Sequence, residues 1–528
     1  MTRECLRPLK PSHFTTALAA VVCLCAPVLG FAQDATLTSS RGANPITGKI
    51  TGFDGTFVEI DSAFGLLTLD YASVVCTGDG CPDAQAFVPE VLLSGAARMG
   101  EIMLPGLIEA YGRSRGWQTE IVADDPVHLT VTLRDEDAVD QARFKVRLTT
   151  TDEGFADLIV HEADVVLAQR EIRKTEADRA AVIGLGDMRD PAQARIIGFD
   201  ALVPVVHPAL DADTIALRDL VDVFRGEVSD WATLESASGP ITAHLGARTD
   251  GATQFFVDEF VALDDSVLGD AVARHPTREA LLQALRDQPG SLSLVPFGAV
   301  GGAKALDLMD ACGFIAAPND VMLKTQDYPL TQPLFLYLPD RLRPALIDDF
   351  LNWMRGPEAQ LVVRRAGFVD QGAVPIPLDA QGQRFANAIA QAGEDVSLGE
   401  LQRMVRVLKP RTRLSLSFRF EVGSTRLDAV SRTNLLAVAQ GIRDGDYAGQ
   451  SLMFVGFSDA RGAPLPNRDL SSARAEAVKR ELTDVLGALP DEVTIESEAF
   501  GEALPLGCDD TEWGRQMNRR VELWVAEK

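Results

Sequence analysis

At 528 residues the chain is too long for one ordinary domain and leaves room for about two to four. Its 46% hydrophobic and 24% charged residues are those of ordinary globular protein. A formal net charge of -26, with no basic block to offset it, excludes nucleic acid and anionic membrane surfaces as partners.

The chain opens with Arg3, Arg7 and Lys10 ahead of the apolar run TTALAAVVCLCAPVLGFA. That run is short for a membrane span and ends in small residues. It predicts a secretory signal peptide over 1–32 with cleavage after Ala32, an uncleaved anchor being the alternative. Neither Cys23 nor Cys25 follows the small residue that lipid attachment requires. No later stretch reaches about 18 unbroken apolar residues. Cleavage removes Cys5, Cys23 and Cys25 and leaves Cys76, Cys81, Cys312 and Cys508 in an oxidising compartment. CTGDGC closes a small loop with no second Cys or His pair nearby for zinc, so Cys76 and Cys81 are expected to form a disulfide. The residues do not say whether Cys312 meets Cys508.

Residues 33–87 alternate apolar and polar positions in short runs broken by Gly-Asp and Asp-Gly, which predicts a small antiparallel β module. From Val91 the rhythm changes. VLLSG reads as a buried strand and RMGEIMLPGLIEAYGRSR as a helix. EIVADD, HLTVTL, KVRLTT, ADLIVHEADVVLA, ARIIGFDALVPVVH, ITAHLG and GSLSLVP read as further strands among helical runs. Such alternation over 88–378 predicts an α/β domain with a largely parallel sheet, long enough for two lobes. Residues 379–410 are helical by periodicity and bridge to a last domain of βαβ character, 411–528.

In that last domain GFSDARGAPLPNRDLSSARAEAV raises a specific question. Asp459 sits in a turn. Arg474 is expected in the first turn of a helix whose start Asn467, Asp469 and Ser471 would cap, and whose buried stripe is Leu470, Ala477, Val478 and Leu482. A helical side chain leans toward the N-terminus, so Arg474 should lean toward the loop of Asp459. By themselves the two charges fit either a surface ion pair or two halves of a ligand grip.

The flanking segments F-x-F-x-x-G-S-T-x-L at 418–427, G-F-S-D-A-R-G at 456–462, N-x-x-L-S-x-x-R-A at 467–475 and G-R-Q-M-N-R-R-V-E at 514–522 together resemble the OmpA-like peptidoglycan-binding domain. The resemblance implies that Asp459 and Arg474 bind diaminopimelate of the peptidoglycan stem peptide. A carboxylate suits its ammonium, and a forked guanidinium suits its carboxylate. It also brings in Ser458, Asn467 and Arg519. Arg519 and Arg520 either support the site or close the last strand, and Gly423 lies in the segment that commonly lines the pocket. Where the family has His-Thr before the aspartate, this chain has Phe457-Ser458.

The middle of the chain resembles the PstS-like, phosphate-type periplasmic substrate-binding proteins. The likeness rests on VLLSGAARM, EADVVLAQREI, LRDLVDVFRGEVSDW after a hinge crossing, ARTDGATQFF, and YPLTQPLFLYL as a return strand. It implies a two-lobed type II fold with an oxyanion such as phosphate held by backbone amides at helix starts. The implied positions are Ser94, Gly95, Ala96, Ala97 and Arg98 at the first helix start, and Arg248, Asp250, Gly251 and Thr253 at the second. Arg170 falls near where strictly phosphate-selective members carry an acceptor carboxylate. The family's R-x-D-G-S-G-T is shortened here to R-T-D-G-A-T. Each missing hydroxyl removes a donor of about 1 kcal/mol to a charged group. Read without the resemblance, Arg248 suits a hinge or surface ion pair and the glycines suit tight turns.

The histidines are scattered, with no HExxH, G-x-S-x-G or Walker loop. The expectation is therefore a non-catalytic periplasmic protein, associated with the cell wall and needing no cofactor. A small β module would precede a two-lobed solute-binding α/β domain and an OmpA-like βαβ domain. Its partners would be the stem peptide, an oxyanion, and an envelope sensor or transporter. A structural envelope protein with a degenerate or repurposed cleft is the alternative.

Overall fold

In the computed structural model the residues described are 34–40, 42, 44–84, 86–234, 237–248, 250–262, 266–341, 343–393, 396–420 and 426–527. The expected signal peptide and the Gly423 segment lie outside them. The chain divides into two compact units, Met1–Ala84 and Gln85–Lys528. No helix among the described residues is long and apolar enough to cross a membrane.

In the first unit the alternating residues form a five-stranded antiparallel sheet. Its spatial order is Gly65–Asp70, Phe57–Ser62, Ile46–Phe53, Asp34–Ser39, Val74–Thr77. Asp54 closes one hairpin by accepting the amides of Thr56 and Phe57 at 2.8 and 2.6 Å. Leu37, Val58 and Ile60 make a small core. So small a core leaves the chain end to be held by other means. The Cys76–Cys81 disulfide and the Tyr71 hydroxyl, which donates to the Pro82 carbonyl at 2.9 Å, provide them.

The second unit holds an 11-stranded sheet that one strand divides. Ala194–Val206 pairs along its first half with Thr331–Tyr337 and along its second with Ser291–Pro296. Beyond Thr331–Tyr337 the order continues Val165–Ala168, Glu90–Ala96, Asp140–Thr149, His128–Arg134, Gln118–Asp125. On the other side lie Thr242–Leu245 and Ala273–Arg274. The chain thus crosses between two lobes on one strand and returns beside it, which is the expected two-lobed architecture.

Two readings need correction. The sheet is mixed rather than largely parallel, because a crossing strand and its return neighbour run in opposite directions. Parallel pairing is confined to the neighbours of Glu90–Ala96 and of Thr242–Leu245. ADLIV, read as strand with VVLA, forms the end and C-cap of the helix Thr151–Ile159. Thr150 caps that helix by accepting the Glu153 amide, and Phe155 and Leu158 lie on its buried side. The strand Val165–Ala168 follows so closely that the two apolar runs merge in the sequence.

The C-terminal sheet has the order Pro375–Ile376, Thr412–Phe418, Arg520–Glu527, Gln450–Phe457, Thr494–Ala499. Helices Ala429–Asp444 and Pro464–Leu486 cover one face through Val438, Val478 and Leu482 over Leu452 and Phe454. Helices Gly382–Gln391 and Leu398–Leu408 cover the other over Met453, Val455, Phe457 and Trp524. The bridging segment is therefore two helices, the second capped by Ser397, and both are packed on the sheet. A Cys312–Cys508 disulfide and the buried pairs of Asp327 with Arg413 (3.2 Å) and Arg419 (2.9 Å) join this domain to the two-lobed one.

Candidate functional site

The strand Gln450–Phe457 runs into the loop of Asp459, and the helix Pro464–Leu486 comes back alongside it. Their approach depends on Gly456, where a Cβ would stand 2.1 Å from the Ser471 carbonyl oxygen. At the crossing Ser471 Oγ accepts the Gly501 amide at 3.2 Å and donates to the Arg468 carbonyl at 2.9 Å. Arg474 follows nearly one turn later.

The helix starts earlier than expected. Pro464 occupies its first turn, where a missing N–H is harmless, and Ala463 supplies no capping side chain. Asn467, Asp469 and Ser471 are thus helical positions, and Arg474 lies well inside the helix. The buried stripe is Asn467, Ser471, Ala475, Val478 and Leu482, whereas Leu470 is exposed. Asn467 Nδ2 donates to Glu502 Oε2 at 2.8 Å.

Asp459 is buried and pairs with Arg519, not with Arg474. Its Oδ2 accepts from Arg519 Nη1 at 2.7 Å and its Oδ1 from the Arg461 amide at 3.3 Å. Arg519 Nη2 donates to Glu512 Oε1 at 2.5 Å. Hydrogen bonds from Arg519 and then Arg515 hold the Glu512 carboxyl down to about 2. Arg474 is left incomplete. Its Nη1 is buried with no hydrogen-bond partner among the described residues, and its guanidinium lies 5.5 Å from the centre of the Phe420 ring. Burial lowers its pKa and the like charge of Arg519 adds to that, while Asp459 works the other way. Ser458 Oγ is also buried without a partner among the described residues. A ligand carboxylate would complete Arg474, and an ammonium would find unused lone pairs on Asp459.

Phe457 has its explanation in the strand alternation. With Met453 and Val455 it faces the bridging helices, 4.4 Å beneath the Arg520 guanidinium and 6.2 Å from the Phe500 ring. Arg520 is fully buried there, so of the two adjacent arginines Arg519 lies at Asp459 and Arg520 in the interior. The sequence did not point to Asp509 or Glu512. Asp509 braces the Asp459 loop by accepting the Ala460 amide at 2.6 Å while holding Asn518 Nδ2 at 2.8 Å. Thr511, which caps the helix Glu512–Asn518, was the one local signal for that segment.

The residues expected around an oxyanion are only partly gathered. Arg170 and Gly251 line one gap between the lobes, with Thr151, Asp152, Gln169 and Gln254. Its free volume is about 10 Å³, room for at most one water. Arg170 enters it already engaged. Glu176 accepts from Nη2 at 2.7 Å and from Nη1 at 2.9 Å, and Asp152 accepts from Nη2. Burial acts to lower the Arg170 pKa, but the bonds to Glu176 and Asp152 outweigh it and raise it. Gln254 Nε2 ties Asp152 to the opposite lobe at 3.1 Å, and Arg173 Nη2 reaches Asp258 at 3.4 Å.

The remaining positions are occupied elsewhere. Asp250 accepts the Ala252 amide at 3.3 Å and the Thr253 hydroxyl at 2.8 Å within its own helix. Ser94, Gly95 and Ala96 belong to a strand rather than a helix start, the helical run opening at Ala97. Ser94 Oγ donates to Asp157 Oδ2 at 2.5 Å. Gly95, at φ 134, lies so near the Leu167 carbonyl that a Cβ would come within 2.1 Å. Arg98 pairs with buried Asp200 at 2.8 Å, and Arg248 is exposed. No cluster of three or more His, Cys, Asp or Glu side chains suited to a metal occurs among the described residues.

Residues 123–358 match the PBP superfamily domain and residues 419–519 match the OmpA family. No curated protein matches the chain. Among solved structures, an ABC-type phosphate transport receptor from Vibrio cholerae is 14% identical with a TM-score of 0.42, covering 53% of this chain and 99% of that one. A possible phosphate binding protein from Planctomyces limnophilus is 17% identical at 0.40, covering 58% and 100%. PstS from Borrelia burgdorferi is 14% identical at 0.38, covering 53% and 98%. The chain joins a domain of the PBP superfamily to a C-terminal domain of the OmpA family.

Proposed function

We propose that this is a non-catalytic periplasmic protein held to peptidoglycan by its C-terminal domain, with a two-lobed domain that its own side chains keep closed. The observation that carries the wall reading is Arg474 Nη1, a buried cationic donor with no partner among the described residues beside a carboxylate already fixed by Arg519. An unpaired buried donor is costly, and a ligand carboxylate removes that cost. Diaminopimelate brings both a carboxylate for Arg474 and an ammonium for Asp459. The full chain should co-sediment with sacculi, and free diaminopimelate should release it. Equal retention on sacculi whose stem peptides carry lysine in that place would overturn the assignment.

A second reading of the cleft, capture or sensing of phosphate or a related oxyanion on behalf of an envelope sensor or transporter, has its own support. Arg170 and Gly251 line the same gap from opposite lobes. The anion would have to displace Asp152 from Arg170 and open the lobes. Calorimetry of the full chain with phosphate, sulfate and arsenate separates the readings. No heat at millimolar anion leaves the closed cleft, and a stoichiometric heat gives the capture reading.

A further inference from the structure

The contact between the two-lobed and C-terminal domains contains a cavity of about 320 Å³, far larger than the gap at Arg170. Phe314, Ile315, Ile376 and Leu506 give it apolar walls, and Gln381 and Asn387 add amides. Arg384 and Arg413 bring two guanidiniums into its lining, and Asp327 lies there with them.

The charges around it do not balance. Arg384, Arg413, Arg419 and Arg520 surround two carboxylates, Asp327 and Glu522, all with side chains largely or wholly withdrawn from water. Asp327 receives Arg413 at 3.2 Å and Arg419 at 2.9 Å. Glu522 receives Arg384 at 2.5 Å and Arg520 at 2.8 Å, with Arg413 Nε 3.4 Å away. The next buried carboxylate, Asp428, faces Arg419 and Arg432, and Glu481 also faces Arg432, so among the described residues these groups leave an excess of one positive charge. Among the described residues Arg384 Nε and Arg413 Nε are buried without a hydrogen bond. Buried charge without counter-charge is among the costliest arrangements in a protein interior. Here it sits against a space that falls within the usual range of small-molecule sites, roughly 300–1,000 Å³.

We propose that this junction cavity is a binding site for a small aliphatic dicarboxylate. One or both carboxylates would meet Arg384 and Arg413, and the hydrocarbon would lie on Phe314, Ile315, Ile376 and Leu506. The site is independent of the wall grip and of the cleft. Its walls come from both domains and from the bridging helix Gly382–Gln391, so occupancy strengthens their contact.

Thermal-shift and calorimetric titration of the full chain with adipate, hexanoate, hexane-1,6-diol and inorganic phosphate tests it. Millimolar adipate should raise the melting temperature, hexanoate should raise it less, and the diol should leave it unchanged. Arg384→Gln should weaken adipate by about tenfold, the loss of one charged hydrogen-bond donor. Asn387→Trp, which fills the cavity from the bridging helix and leaves the buried charges in place, should abolish the shift. No response to adipate in the wild type, an equal response to the diol, or an undiminished response in Asn387→Trp would overturn the proposal. Phosphate acting alone in the wild type and equally in Asn387→Trp would locate the anion at the cleft and overturn it too.

Discussion

Arg170 and Arg474 are the same functional group in opposite conditions. Arg170, between the lobes, is embraced by Glu176 and Asp152 within a gap of about 10 Å³. Arg474, on the C-terminal domain, lies beside an aspartate that another arginine already holds, and keeps a buried N–H without a partner among the described residues. A guanidinium whose fork is held by the protein's own carboxylates in a gap without free space contributes to cohesion, whereas one with an N–H left over beside open space is ready for an external carboxylate.

The largest effect expected from that contrast is at Arg474. Arg474→Ala should weaken sacculus binding about 10- to 100-fold, the value of a hydrogen bond to a charged group, with an unchanged far-UV spectrum. Arg474→Lys should fail to restore it fully, since an ammonium lacks the fork. Co-sedimentation isotherms read both, and wild-type retention by Arg474→Ala would end the comparison. Gly456→Ala comes next. Its new Cβ meets the Ser471 carbonyl, so the helix must shift at a cost of about 1–3 kcal/mol, visible as a lower midpoint in urea.

At the cleft the expected change is smaller and of opposite sense. Asp152→Asn removes one of the two carboxylates on Arg170. Because Asp152 is about one-third exposed, at 35%, stability should fall by only about 1 kcal/mol. The freed fork should then give phosphate a calorimetric signal larger than the wild type's, and an unchanged signal would mean the cleft is closed for other reasons. The smallest effect concerns pH. The Glu512 carboxyl is lowered to about 2 by Arg519 and Arg515. Its stabilising contribution is present above its ordinary value of 4.5 and is lost as pH falls toward 2. The melting-temperature difference between wild type and Glu512→Gln should therefore be flat down to about pH 5 and shrink below it. A constant difference down to pH 2 would show that Glu512 is not held by those arginines.

The C-terminal motif was legible because its spacing is local: strand end, Asp459 in the turn, Arg474 on the returning helix. What stayed hidden was the choice of partner. Asp459 lies 15 residues from Arg474 and 60 from Arg519, yet the more distant arginine makes the bond. Only the sheet, which places Arg520 opposite Phe457, brings Arg519 to that loop. The helix start was misplaced because the leading Pro464 is a start signal without a cap. At the cleft, Glu176 stands in the first turn of the helix Lys174–Val182, and nothing local in the sequence shows that its carboxylate also takes the Arg170 guanidinium. The pairing of Cys312 with Cys508, 196 residues apart, belongs to the same class of long-range fact.

The packed bridging helices and that disulfide together decide how the protein would stand on its substrate. A free coil of residues 379–410 would act as a leash with a root-mean-square reach of roughly 30 Å, letting the two-lobed domain sweep the space around its attachment point. Instead the helices lie against Met453, Phe457 and Trp524, the edge strand Pro375–Ile376 is stitched to Thr412–Phe418, and a covalent link bypasses the bridge. A tug on the wall-binding face would pass through Cys508 to Cys312 without extending the chain between them. The foot is stiff, so on the proposed wall attachment the angle at which the upper domain faces its surroundings would be inherited from the wall rather than averaged over a tether.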